Sequence, residues 1–255
     1  MSFIMRSRGV EEKNMAEKPI KLFATRAERY PEPSGADVAL GTGRAVLAAI
    51  PLVGGSITEV LSLVLAPAVS RRRDTWLKEL ADGLEEAERQ IDGFTIENLT
   101  QDEAFISAVI EATRSAISTH KDEKRDALLN GLLNIALHRS TDEDQQQTFL
   151  RYIEELTVWH LRILRLFQNP SKHLSTKGLG ANYYMGSASQ VLTDFYPELA
   201  DKRELYDQIA ADLASRGLVG AGFLHGMMSA QGMVAKRTSA LADRFLDFIP
   251  DPLHD

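Results

Sequence analysis

"AVLAAIPLVGGSITEVLSLVLAPAVSRRR", residues 45–73, is almost uninterrupted apolar sequence that ends in three arginines. Whether it crosses a membrane, lies on one or folds into a core decides the architecture. A spanning helix needs about 20 apolar residues in unbroken helix. Pro51 and the pair Gly54-Gly55 divide the stretch into about ten residues on each side, each worth roughly 15 Å of helix. The second half also carries Glu59, and Thr58 and Ser62 lie close to it on the helix surface, so a narrow polar stripe interrupts the apolar face. A plain transmembrane anchor is not expected. The expectation is a helical hairpin over residues 42–70, turning at Pro51–Gly55 and stored against a bundle, with Val46, Leu47, Ile50, Ile57, Leu61 and Val64 facing inward. The same segment has a second use. Gly54 and Gly55, with Ala45, Ala48, Ala49 and Ala66, allow close helix approach in lipid, and Arg71, Arg72 and Arg73 suit anionic headgroups. Arg71, Arg72, Arg73, Glu59, Gly54 and Gly55 are therefore the candidate contacts to a membrane or a partner.

Upstream, residues 1–36 have no apolar period, no hydrophobic signal core and no small-residue cleavage site, and read as a disordered leader without a secretory signal. "RYPEPSG", residues 29–35, closes it as a linker. Downstream the periodicity is helical. Leu77, Leu80, Leu84, Ala87 and Ile91 put one seam on a helix from about Asp74 to Ile91. "TQDE" from Thr100 and "STDE" from Ser140 match the capping-box pattern and open two further helices. The first carries Phe105, Val109, Ala112, Ala116 and Ile117; the second carries Phe149, Leu150, Ile153 and Leu156. Between them a helix from Asp122 carries Leu128, Leu132 and Ile135. Thr157 caps or kinks the chain before "VWHLRILRLF", which is apolar on most sides and so central. Leu84, Val109, Leu132, Ile153 and Leu164 are the expected core.

The fold class is thus mainly all-α. A helical bundle spans 37–168 and includes the apolar hairpin. "NPSKHLSTKGLGANYYMG", residues 169–186, lacks a helical period and reads as a linker. Residues 187–250 read helix, helix, β-hairpin, helix, an order that resembles a winged-helix domain. The first helix is Ser187–Phe195, the second ends at Arg216-Gly217, the glycine-rich 219–240 supplies the hairpin, and Thr238 or Ser239 caps the last helix.

No constellation in the chain points to catalysis, a cofactor or a metal. The absence of cysteine removes disulfides, thiolate metal sites and a thiol nucleophile, and fits a reducing cytoplasm. "GTGRAV" at Gly41 lacks the preceding strand and following Lys-Ser/Thr of a phosphate loop, and "GAGFLHG" at Gly220 follows a helix and suits a turn. The six histidines show no ligand spacing; His160, beside Trp159, reads as a hydrogen-bonded core residue. A net charge of −7 gives no general affinity for nucleic acid. In a DNA-reading winged helix the second helix meets phosphates, yet Asp201, Glu204, Asp207 and Asp212 outnumber Lys202, Arg203 and Arg216 there. Lys202, Arg203, Lys236 and Arg237 are the candidate nucleic-acid contacts under the alternative reading of a DNA-binding regulator.

The glycine-containing apolar N-terminal segment, the "LTVWHLRILRLF" helix and the closing "RTSALADRFLDFI" together resemble bacterial helical proteins of the Abi-alpha (abortive infection) type, over most of residues 40–250 in order of elements. The resemblance implies a cytoplasmic bacterial protein acting in phage defence, and it supplies no catalytic residues to carry over; the apolar segment with its arginines adds the expectation of a location peripheral to the inner membrane. The expected function is non-enzymatic and without cofactor: contact with a protein partner, a second copy or an anionic membrane surface, with nucleic acid disfavoured.

Overall fold

The computed structural model describes residues 57–137, 142–179 and 183–250, with side chains from Leu65 onward. Among them it is mainly helical, with one small two-stranded antiparallel sheet. The elements are α1 (Ile57–Gln90), α2 (Ile96–Leu99), α3 (Glu103–Ser118), α4 (Asp122–Ala136), α5 (Glu143–Glu155), α6 (Val158–Gln168), α7 (Pro170–Thr176), β1 (Met185–Gly186), α8 (Ala188–Phe195), a 3₁₀ turn (Pro197–Leu199), α9 (Arg203–Ser215), β2 (Met228–Ser229), α10 (Ala230–Met233) and α11 (Ala240–Phe248).

Helix α4 is the axis. Ala127 through Ala136 are buried without interruption, and α1, α3, α5 and α11 pack around it. A helix buried on every side has nowhere to leave a polar group unpaired. Its two asparagines solve this by reaching the end of the chain. Asn130 Nδ2 donates to the Ile249 carbonyl at 3.1 Å, and Asn134 Nδ2 to those of Phe248 at 2.9 Å and Pro250 at 3.1 Å. These are the carbonyls that a helix C-terminus cannot satisfy internally. Phe149 of α5 holds the aromatic side of the same contact, with ring centroids 5.5 Å from Phe245 and 5.4 Å from Phe248. One apolar core runs continuously from Trp76 to Ile249.

Helix α1 departs most from the sequence reading. The acidic helix expected to begin near Asp74 continues backward without a break to Ile57, through Pro67. Proline removes one hydrogen bond and crowds the preceding turn, yet the apolar and acidic segments form one helix of 34 residues, about 51 Å long. The turn expected at Pro51–Gly55, with Gly54 and Gly55, lies outside the described residues. Leu65 and Val69 are 55% and 46% exposed, so this part of the segment is not stored against the bundle. Among the described side chains of α1 the first that is buried is Trp76, 1% exposed, whose indole Nε1 donates to Thr113 Oγ1 at 2.9 Å. The seam therefore runs Trp76, Leu80, Leu84, Ala87, and Leu77 faces solvent: the indole offers more apolar area than the leucine and finds a partner for its N–H.

Other corrections are local. Asp102, not Thr100, caps α3, accepting from the Ala104 and Phe105 amides at 3.0 Å each; one carboxylate oxygen serves two orphan donors. Helix α3 then buries Phe105, Ala108, Ala112 and Ala116, and Val109 is only half-buried at the edge. Leu84, Leu132, Ile153 and Leu164 are core as expected. Ser140 lies outside the described residues, and α5 starts after Asp142. Within 169–186, read as a linker, lie α7, whose Leu174 is buried, and β1.

The chain's last third follows the expected order of helices, with Gly217 at φ 70° ending α9 and Ser239 Oγ accepting from the Ala242 amide to cap α11. The expected β-hairpin within 219–240 is not formed. Its base is held by a single antiparallel bridge, Val219 to Thr238. Its one strand, β2, pairs instead with β1, Met185 opposite Ser229 and Gly186 opposite Met228. Two features explain this. The glycine-rich 220–226 coils as turns rather than extended chain. Gly186, in turn, leaves room for Met233, whose Cε would lie 2.9 Å from a Cβ there.

Gly131 tests the α4–α11 junction. In an open helix Gly→Ala gains up to about 1 kcal/mol. Here the new Cβ would stand 2.8 Å from Phe248 Cε1. We expect Gly131→Ala to destabilise the protein by about 1–3 kcal/mol in chemical denaturation, and Phe248→Leu to relieve most of that loss in the double variant. A more stable Gly131→Ala would refute the tight junction.

Candidate functional site

Arginines 71–73 sit where α1 leaves the bundle. Arg72 Nη1 donates to the Ile117 carbonyl in the last turn of α3, 3.1 Å away, and Arg73 meets Asp74 at 3.2 Å. Arg71 Nε reaches back one turn to the Pro67 carbonyl at 3.4 Å. All three side chains are exposed. The turns before them present Leu65 and Val69, four residues apart and so on one face of the helix. Glu59 lies on the same helix, in the part whose side chains are outside the described residues. No helix among the described residues is long and apolar enough to cross a membrane.

The cations proposed for nucleic acid are arranged differently. Arg203 pairs with Asp207 at 3.4 Å, Lys236 pairs with Asp243, and Arg237 donates to the Gly232 carbonyl while its backbone amide holds the Phe167 carbonyl at 2.9 Å. These three neutralise or tie down the glycine-rich excursion and α9. Lys202 is exposed.

His160 is a core residue with defined partners. Its Nδ1 accepts from the Thr157 amide at 3.2 Å and lies 2.8 Å from Thr157 Oγ1, so Thr157 and His160 close a capping box on α6. That acceptor role assigns the proton to Nε2. Nε2 stands 3.1 Å from Asp212 Oδ2 of α9, close enough for an ion pair but poorly directed for a hydrogen bond. Arg216 closes the group, bound to Glu155 at 2.6 Å and Asp212 at 3.3 Å, with its guanidinium over the Tyr152 ring. Burial holds the imidazole's pKa below its usual value, aided by Arg216 and Lys124, against the opposing pull of Asp212. A threonine, a histidine and an aspartate in line resemble a relay, but Nδ1 is committed to a backbone amide, and the arrangement caps a helix and docks α9.

Asp126 went unnoticed in the sequence, where it is one acid among many. Burial, then Glu79, raises its pKa to about 6. Its Oδ2 is buried without a hydrogen bond. A second unread feature is the exposure of Tyr184, Met185 and Met227 in and beside the two short strands. An open cleft of about 340 Å³ runs between the end of α1 and the start of α3, lined by Asp92, Phe94, Asn98 and Asp102 among others, and Asp102 there is already spent as a cap. Among the described residues no group of three or more histidines and carboxylates is placed to hold a metal. No protein-family model matches the chain, and no curated protein or solved structure matches it.

The two titrating groups act in opposite directions. His160 is needed neutral, and its folded pKa is depressed. Its contribution is whole above the unfolded value of 6.5 and is lost as pH falls below it. Asp126 is costly when ionised; that cost is whole above about pH 6 and fades as pH falls toward 3.8. We expect His160→Gln, which keeps a capping acceptor, to flatten the loss of stability between pH 7 and 5 seen in denaturant titrations. We expect Asp126→Asn to stabilise the protein at pH 7.5 by about 1–2 kcal/mol, allowing for partial exposure, and to lose that advantage near pH 4.

Proposed function

We propose that this protein is non-enzymatic and works by contact at an anionic membrane surface, using the part of α1 that precedes Trp76. One observation carries the reading: Leu65 and Val69 are exposed on a helix whose next turn is Arg71-Arg72-Arg73. Exposed apolar residues adjoining basic ones suit the boundary between acyl chains and phosphate headgroups. The apolar sequence of residues 45–56 runs directly into this helix and extends the same character. In this proposal, which takes up the resemblance to abortive-infection proteins, such contact serves phage defence at the inner face of the bacterial cytoplasmic membrane. Residues 187–250, which keep the helix order of a winged-helix domain without its hairpin, are proposed as a docking module for a protein partner.

The DNA-regulator reading draws less support, because Arg203, Lys236 and Arg237 already have partners within the fold. Each would have to exchange an internal contact for a phosphate.

Replacing Arg71, Arg72 and Arg73 together by glutamate should shift the melting temperature little, because exposed pairs contribute about 0–1 kcal/mol. It should abolish sedimentation with vesicles containing phosphatidylserine. Failure of the wild-type chain to bind such vesicles would overturn the membrane reading. Retention of random duplex DNA at low salt would favour the regulator instead.

A further inference from the structure

We infer that the α3–α4 loop, through Lys121, is a second contact for anionic lipid beside the arginines of α1, an assignment that rests on the membrane reading above. Two cross-helix bonds fix the geometry. Trp76 bonds Thr113, and Arg72 bonds Ile117. Moving four residues back along α1 moves four residues forward along α3, so the helices run antiparallel and Arg72 stands level with the last turn of α3. The chain segment that follows, Thr119-His120-Lys121, therefore caps the bundle at the level where α1 emerges. The loop is held in place: the Lys121 amide donates to Thr119 Oγ1 at 3.2 Å, and the Thr119 amide to the Ser115 carbonyl at 3.2 Å.

Charge at this end is sorted in a way that the overall balance of −7 conceals. The acids beside Lys121 are engaged by cations of the bundle, Asp122 by Arg125 at 3.5 Å and Glu123 by Arg162 at 2.9 Å. Asp74 faces Arg73. Among the described residues neither the Lys121 ammonium nor the Arg71 guanidinium meets an acidic side chain, and both residues are exposed. Arg71 and Lys121 thus stand at this end of the bundle without an acidic partner, and Leu65 and Val69 lie farther out along the protruding helix. A bilayer matches both features, headgroups meeting the two cations and acyl chains the leucine and valine. A soluble polyanion would match only the first.

The test uses the full chain and vesicles of phosphatidylcholine with or without phosphatidylserine. Lys121→Gln should weaken partitioning onto the anionic vesicles about fivefold, the expected share of one basic residue near the surface. Lys121→Arg should bind as wild type, and both should melt as wild type. If Lys121→Gln binds as tightly as wild type while the triple arginine variant does not bind, the loop has no part in the contact and the inference fails alone. If the wild-type chain ignores anionic vesicles, the inference and the membrane reading fail together.

Discussion

The burial of α4 on all sides is the constraint from which the rest follows. Ten of its fifteen residues, Ala127–Ala136, are buried in succession and set a core about 15 Å tall. Helix α3 packs along it, and so does the part of α1 whose seam runs from Trp76 to Ala87. None of the α1 side chains described from Leu65 to Thr75 is buried. Two polar residues on α4 set the other boundary. Asn130 and Asn134 have amide hydrogens that must be satisfied away from water, and the carbonyls ending α11 are what satisfy them. The last helix is thereby an integral wall of the bundle.

This arrangement separates two kinds of charge. Inside the interfaces charges are matched: Arg216 with Asp212 and Glu155, and Arg162 with Glu123, with neutral His160 beside Asp212. These groups join α4, α5, α6 and α9. At the end where α1 emerges, Arg71 and Lys121 meet no acidic side chain among the described residues, and Leu65 and Val69 are exposed nearby. Exposed apolar surface next to unmatched charge serves no purpose in holding this fold together, which is the physical ground for placing function there.

The helical class, the capping at Thr157, the end of α9 at Gly217 and the cap at Ser239 were legible in the sequence, because each depends on a local pattern of period, donor or φ. Errors arose where tertiary competition decided. Trp76 displaced Leu77 because Thr113 lies within reach of its indole, and Ala108 displaced Val109 because α3 packs close enough to prefer small residues. The pairing of β2 with β1 depends on the space left by Gly186, which no local pattern encodes. The continuity of α1 through Pro67 was missed because two adjoining patterns, apolar and acidic, were read as two elements. The arginines were visible in the sequence as a run, but their place beside the last turn of α3, where Arg72 bonds the Ile117 carbonyl, is set by the fold.

The central claim is that Leu65 and Val69 of α1 stand free of the bundle, a face for which we propose a membrane as the cover. The chain has no cysteine, so single cysteines introduced at Leu65, Val69 and Leu84 can be followed by thiol-labelling rate without background. The account requires fast labelling at 65 and 69 in solution, strong protection of both by phosphatidylserine vesicles, and slow labelling at 84 throughout. Slow labelling at 65 and 69 in the absence of vesicles would contradict it, because the segment would then be covered by the protein itself.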